Sequence, residues 1–148
     1  MADVRGTFFS PLARQHGRFT RDFIVTNTGD KGEGSLRAAI EAANALTELI
    51  PSRIVFNIPG AAPERGWFTI YPNTPLPAIV AADIEIDGGT QTEFGGDTNP
   101  LGPEIELDGA ALWFGNGLEI SQSGLTYVKR LAIGGFPWNG IKVARDSS

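Results

Sequence analysis

The chain has 148 residues, 41% of them hydrophobic, a net charge of -5, one histidine and no cysteine. That is enough apolar sequence for one domain with a core, it excludes disulfides, thiolate metal centres and a His-rich metal site, and the negative charge argues against a nucleic-acid binder. No apolar run approaches the ~20 residues that cross a bilayer, and Met1-Ala2-Asp3-Val4-Arg5-Gly6 lacks the apolar core of an export signal.

Residues 1–22 read as an N-terminal arm without sustained periodicity, and residues 23–148 as the folded domain. Phe8, Phe9, Leu12 and Phe19 are costly to leave in water, so the arm is expected either to hang free or to pack on the domain or a neighbouring subunit. Phe23-Ile24-Val25-Thr26 is a short strand, and the glycine-rich stretch 27–34 a turn. An amphipathic helix follows. Ser35 is its N-cap, and Leu36, Ala39, Ile40 and Ala43 fall on one face at i, i+3, i+4 and i+7. The helix is expected to run to about Leu46, at most to Leu49, because Pro51 stops it.

After Pro51 the pattern changes to short strands punctuated by Gly, Pro, Asn and Asp. They are expected at residues 54–58, 68–71, 84–86, 105–107, 118–120, 131–133 and 141–143, with 89–103 a polar, glycine-rich loop. Two words recur. Ile84-Glu85-Ile86-Asp87-Gly88 returns as Ile105-Glu106-Leu107-Asp108-Gly109, and Asn116-Gly117-Leu118-Glu119-Ile120 returns as Asn139-Gly140-Ile141-Lys142-Val143. The spacings, 21 and 23 positions, predict an all-β fold: a right-handed parallel β-helix of a few coils, capped at its N-terminal end by the one helix. On that reading Ile84 stacks on Ile105, Ile86 on Leu107, Glu119 faces Lys142, and Asn116 and Asn139 form an amide ladder.

The segment Asn27 to Asn44, above all Gly34-Ser35-Leu36-Arg37-Ala38-Ala39-Ile40, resembles the opening of bacterial right-handed parallel β-helix repeat proteins. Their structural relatives form the pectate-lyase-like superfamily. Val55-Phe56-Asn57-Ile58-Pro59-Gly60, Ile86-Asp87-Gly88-Gly89-Thr90-Gln91 and Ile105-Glu106-Leu107-Asp108-Gly109 match later stations in order. The resemblance implies a helix that caps a solenoid, and an extracellular or cell-surface setting, although this chain shows no signal peptide. It departs from the pattern in having few coils.

Three groups of residues were weighed as sites. Glu85, Asp87, Glu106 and Asp108 recur at equivalent positions and suit calcium if they cluster, while Asp-Gly pairs are also ordinary turns. Lys129 or Arg130 would serve as a lyase base only on the same face as those acids. Trp113, Phe114, Phe136 and Trp138 precede the two Asn-Gly words, and are expected either to pack a corner, to form a protein interface or to stack sugars. Gly32-Glu33-Gly34 lacks the spacing of a phosphate loop. No catalytic constellation emerges. The expectation is a non-catalytic structural module that meets another copy or another protein at an open C-terminal end or aromatic corner, as in a surface, fibre or virion assembly. The alternative is the N-terminal part of a carbohydrate-active protein: a polysaccharide lyase or hydrolase, or a sugar-binding module.

Overall fold

The computed structural model describes residues 20–48, 50–122 and 124–144. Among them are, in chain order, β1 (Arg21–Val25), α1 (Leu36–Asn44), β2 (Ser52–Phe56), β3 (Phe68–Ile70), β4 (Ile84–Asp87), α2 (Gly89–Gly95), β5 (Ile105–Asp108), β6 (Leu118–Ile120), β7 (Thr126–Lys129), β8 (Ala132–Gly134) and β9 (Ile141–Val143). The strands form three sheets, in the orders β1-β2-β4-β7, β3-β5-β8 and β6-β9, and every pairing is parallel. β1 takes in Arg21 and Asp22, the last two residues of the expected arm. The apolar arm residues Phe8, Phe9, Leu12 and Phe19 lie outside the described residues.

The expected all-β parallel β-helix is corrected. Among the described residues the fold is mixed α/β, with two helices and nine short strands divided among three small parallel sheets. The repeats misled because they imply a constant spacing. Leu118 does pair with Ile141, 23 positions on, but Ile84 pairs with Thr126, 42 positions on. The word at Ile84 never meets the word at Ile105: β4 lies between β2 and β7, while β5 lies between β3 and β8. Sequence recurrence therefore marks adjacent strands for the Asn-Gly word and only similar strands and turns for the Asp-Gly word.

The second helix stands where a loop was expected, and side chains fix it there. Asp87 Oδ1 accepts the Gly89 N–H at 2.9 Å, and Thr90 Oγ1 accepts the Phe56 N–H at 2.7 Å. The buried Gln91 amide accepts from the Ile58 N–H (2.8 Å) and donates to the Ile58 carbonyl (3.0 Å). The end of β2, paired with β1 on one side but beyond the reach of β4 on the other, is thus satisfied by α2 on that side.

α1 forms for the reasons its sequence suggests. Ser35 Oγ accepts the Ala38 N–H at 3.1 Å and donates to the Gly32 carbonyl at 2.7 Å. Gly34 must be glycine: its φ is +83, and a Cβ would lie 2.3 Å from Thr26 Oγ1. The helix stops at Asn44, earlier than expected, and the Asn44 side chain ties its end to the segment before β4. Asn44 donates to the Ala78 carbonyl at 2.8 Å and accepts from the Val80 N–H at 2.9 Å. The buried face of Leu36, Ala39, Ile40 and Ala43 joins one core with Ile54, Phe56, Ile84, Ile86, Ile105, Leu107, Leu118 and Ile120. Each large member contributes about 1.5–3 kcal/mol by leaving water.

Candidate functional site

The C-terminal strands are the least covered part of the fold. β7, β8 and β9 each end a sheet, and no described strand pairs with their outer edges. Burial falls off across them. β7 is half-buried throughout, and β9 is exposed at every residue, with Ile141 at 46% and Val143 at 66%. An edge strand leaves alternate backbone N–H and C=O groups free to bond another strand. β9 itself is held firmly to β6. Lys142 faces Glu119, and Asn116 Oδ1 accepts both the backbone and the side-chain N–H of Asn139 at 3.0 Å, the expected amide ladder. Glu119 Oε2 accepts from Asn116 Nδ2 at 3.0 Å, which leaves the turn fully bonded.

Beside this edge lies the aromatic corner. Trp113 is 95% exposed, and Phe114 and Trp138 are more than half exposed. Phe114 and Trp138 pack on one another with ring centroids 6.1 Å apart and planes tilted by 55°. Phe136 is separate from them. It packs against the core beneath Gly109 and Gly117, where a Cβ would lie 2.4 and 2.9 Å from its ring. The sequence placed four aromatics together, and the structure exposes three.

The four carboxylates Glu85, Asp87, Glu106 and Asp108 do not converge. Glu85 and Asp87 belong to the first sheet, Glu106 and Asp108 to the second. Asp87 and Asp108 each accept an N–H two residues on, from Gly89 and Ala110, both at 2.9 Å: they are turn residues. Glu106 Oε1 accepts from Trp67 Nε1 (3.0 Å) and Thr69 Oγ1 (2.7 Å), with Arg65 stacked over the Trp67 ring. Among the described residues no group of three or more His, Asp or Glu could hold a metal.

Lys129, by contrast, does share a face with Glu85 and Asp87. Its Nζ lies 3.2 Å from Glu85 Oε2 and 3.6 Å from Asp87 Oδ2. Glu85 is wholly buried, and neither of its oxygens accepts a well-angled hydrogen bond, so the ion pair with Lys129 is what answers its charge. One strand over, Arg53 is bonded to Asp22 through both guanidinium arms, at 2.9 and 3.1 Å. That pairing holds Arg53 above the ordinary guanidinium range, with burial opposing it and Glu85 and Asp87 adding to it. A base already ion-paired to a carboxylate that solvent cannot reach is a structural arrangement, and no catalytic role follows from it. Sequence reasoning missed Arg53 and Asp22, whose register across β1 and β2 carries no local signal. No helix among the described residues is long and apolar enough to cross a membrane.

No protein-family description, no curated protein and no solved structure matches the chain.

Proposed function

We propose that this chain is a non-catalytic assembly module that binds a second copy of itself through the outer edge of β7, β8 and β9 and the aromatic corner next to it. The observation that carries this reading is β9, a strand well anchored on one side and exposed along its whole length, with Ile141 and Val143 in solvent. A rigid apolar edge costs little ordering entropy when a partner covers it. Light scattering over a range of protein concentrations tests it. The expected result is a mass above that of the 15.8 kDa chain, falling to monomer in Val143→Asp. A wild-type chain that stays monomeric at all concentrations overturns the reading.

A second reading, a sugar-stacking surface, draws support from Trp113, an indole left almost wholly in solvent. Phe114 and Trp138, tilted against one another, offer no flat platform to extend it. Quenching of tryptophan fluorescence by a panel of neutral and acidic polysaccharides, lost in Trp113→Ala, would support it; no response in the wild type would remove it.

A further inference from the structure

We infer that Phe19, the residue just ahead of the first described one, seats its ring in a cavity between the end of α1 and the segment before β4, and so straps the N-terminal arm onto its own domain. This is a contact within one chain and goes beyond the proposed assembly.

The cavity has a volume of about 180 Å³. Its walls are Ala43 and Leu46 at the end of α1, Ile50 ahead of β2, and Val80 and Ala81 ahead of β4, joined by Glu48 and Ser52. Ala43 belongs to the main core and Ser52 is buried, so the space continues the core outward. An apolar cavity of ~150 Å³ takes up a benzene molecule, so this one is of a size for a single phenyl ring. Val80 is left 52% exposed, apolar surface that an occupant would cover.

Connectivity says which ring. β1 begins beside the cavity. The Arg21 N–H donates to the Pro51 carbonyl at 2.8 Å, Arg21 pairs in register with Ser52, and its guanidinium donates to Glu48 Oε1 at 3.1 Å. Two of those partners, Glu48 and Ser52, line the cavity. Phe19 stands two residues before Arg21, so the two Cα atoms are within about 7 Å of one another whatever the course of residues 1–18. Alternation gives the side. Val25 is in the core, Phe23 packs against it, and Arg21 falls opposite the buried Ser52. Carrying the two-residue period back one more step puts Phe19 on the same face. Phe8, Phe9 and Leu12 hang on longer tethers, which lowers their effective concentration at the cavity.

The test is thermal unfolding of the full-length chain with and without benzene. Phe19→Ala should lower the midpoint by at least about 5 °C. Benzene should restore part of that loss and leave the wild type unmoved, because the wild-type cavity is already filled. Phe8→Ala/Phe9→Ala is the control: it should lose less than Phe19→Ala and gain nothing from benzene. If Phe19→Ala does not fold, Phe19→Leu carries the comparison with a smaller loss. A Phe19 variant as stable as the wild type overturns the inference, and so does benzene that stabilises wild type and variant alike. Leu49 lies outside the described residues, between Glu48 and Ile50, which both line the cavity. A loss reversed by benzene in Leu49→Ala and absent in Phe19→Ala would give the cavity to Leu49 instead. A wild-type advantage over Phe19→Ala that grows with protein concentration would assign the ring to a second copy and overturn the strap within one chain.

Discussion

Asn116 Oδ1 holds Asn139 twice, accepting its backbone N–H and its side-chain N–H, each at 3.0 Å. Asn116 is almost fully buried and its amide nitrogen is spent on Glu119, so all of its polar atoms work at one turn. Asn116→Ala would leave the Asn139 donors and a Glu119 oxygen unpaired at the base of β9. The expected cost is about 1–3 kcal/mol, from denaturant unfolding. Because β6 is the one described strand that β9 pairs with, the β9 amides should also exchange hydrogen faster in this variant while those of β2 and β4 do not.

That turn was legible from the sequence because the two paired strands, 23 positions apart, carry the same Asn-Gly word. The repeat Asn116-Gly117 and Asn139-Gly140 therefore gave both the pairing and the ladder. The other repeat did not. Between Ile84 and its true neighbour Thr126 the chain inserts α2, β5 and β6, and nothing local says which strand returns to lie beside β4. Strand β7 was passed over altogether, although Thr126-Tyr127-Val128 has the β-branched and aromatic character of a strand. α2 was hidden for a different reason. Its opening glycines suggest a loop, but Gly88 and Gly89 are demanded by the Arg130 backbone and side chain, which a Cβ would meet at 2.1 and 2.3 Å. The apolar face of α1 and the Ser35 cap were legible because they depend only on residues within one helix. The separation of Phe136 from the other aromatics was not, because it depends on Gly109 and Gly117 arriving from different strands.

The pair of Lys129 and Glu85 gives a prediction with two arms. Lys129→Ala leaves a buried carboxylate unanswered, and the expected loss is about 3 kcal/mol, the lower end for a broken buried ion pair because Lys129 is a third exposed. Replacing both charges, as in Lys129→Met/Glu85→Leu, removes the stranded charge together with its partner. The double variant should be more stable than Lys129→Ala in thermal unfolding. Equal losses in the two would show that Glu85 is answered by something other than Lys129.

Arg37 and Asp30 make the fold sensitive to acid. Asp30 is held below the ordinary carboxylate value of 3.8, first by the Asn73 N–H and then by Arg37, with burial opposing both. A carboxylate whose folded pKa is depressed adds stability above its unfolded pKa, and that stability is lost as pH falls through the folded one. Stability should therefore drop below about pH 4, and Asp30→Asn should be less stable at neutral pH and flatter on the acid side. Arg37 itself spans three carbonyls, those of Asp30, Thr74 and Pro75, so the share of the Arg37→Met loss that comes from them, about 3 kcal/mol, should persist in acid, while the share from the Asp30 ion pair should fade. Urea midpoints from pH 3 to 7 would separate the two effects.

Phe136 offers the sharpest check on the corner of the molecule that faces the proposed partner. Its ring lies against Gly109 and Gly117, which come from the turns after β5 and before β6. An alanine at Gly109 would put its Cβ 2.4 Å from Phe136 Cδ1 and 2.7 Å from Phe136 Cα, so both ring and backbone must move. The ring is wedged against the core, and overpacking of this kind costs about 1–3 kcal/mol. Gly109→Ala should lower the unfolding temperature, and its cost should be smaller in a Phe136→Ala background, where the two nearest ring atoms are gone and only the Cα at 2.7 Å remains. Coupling between the two substitutions in a double-mutant cycle is the quantity to measure. If the losses simply add, the Phe136 ring does not sit beneath Gly109.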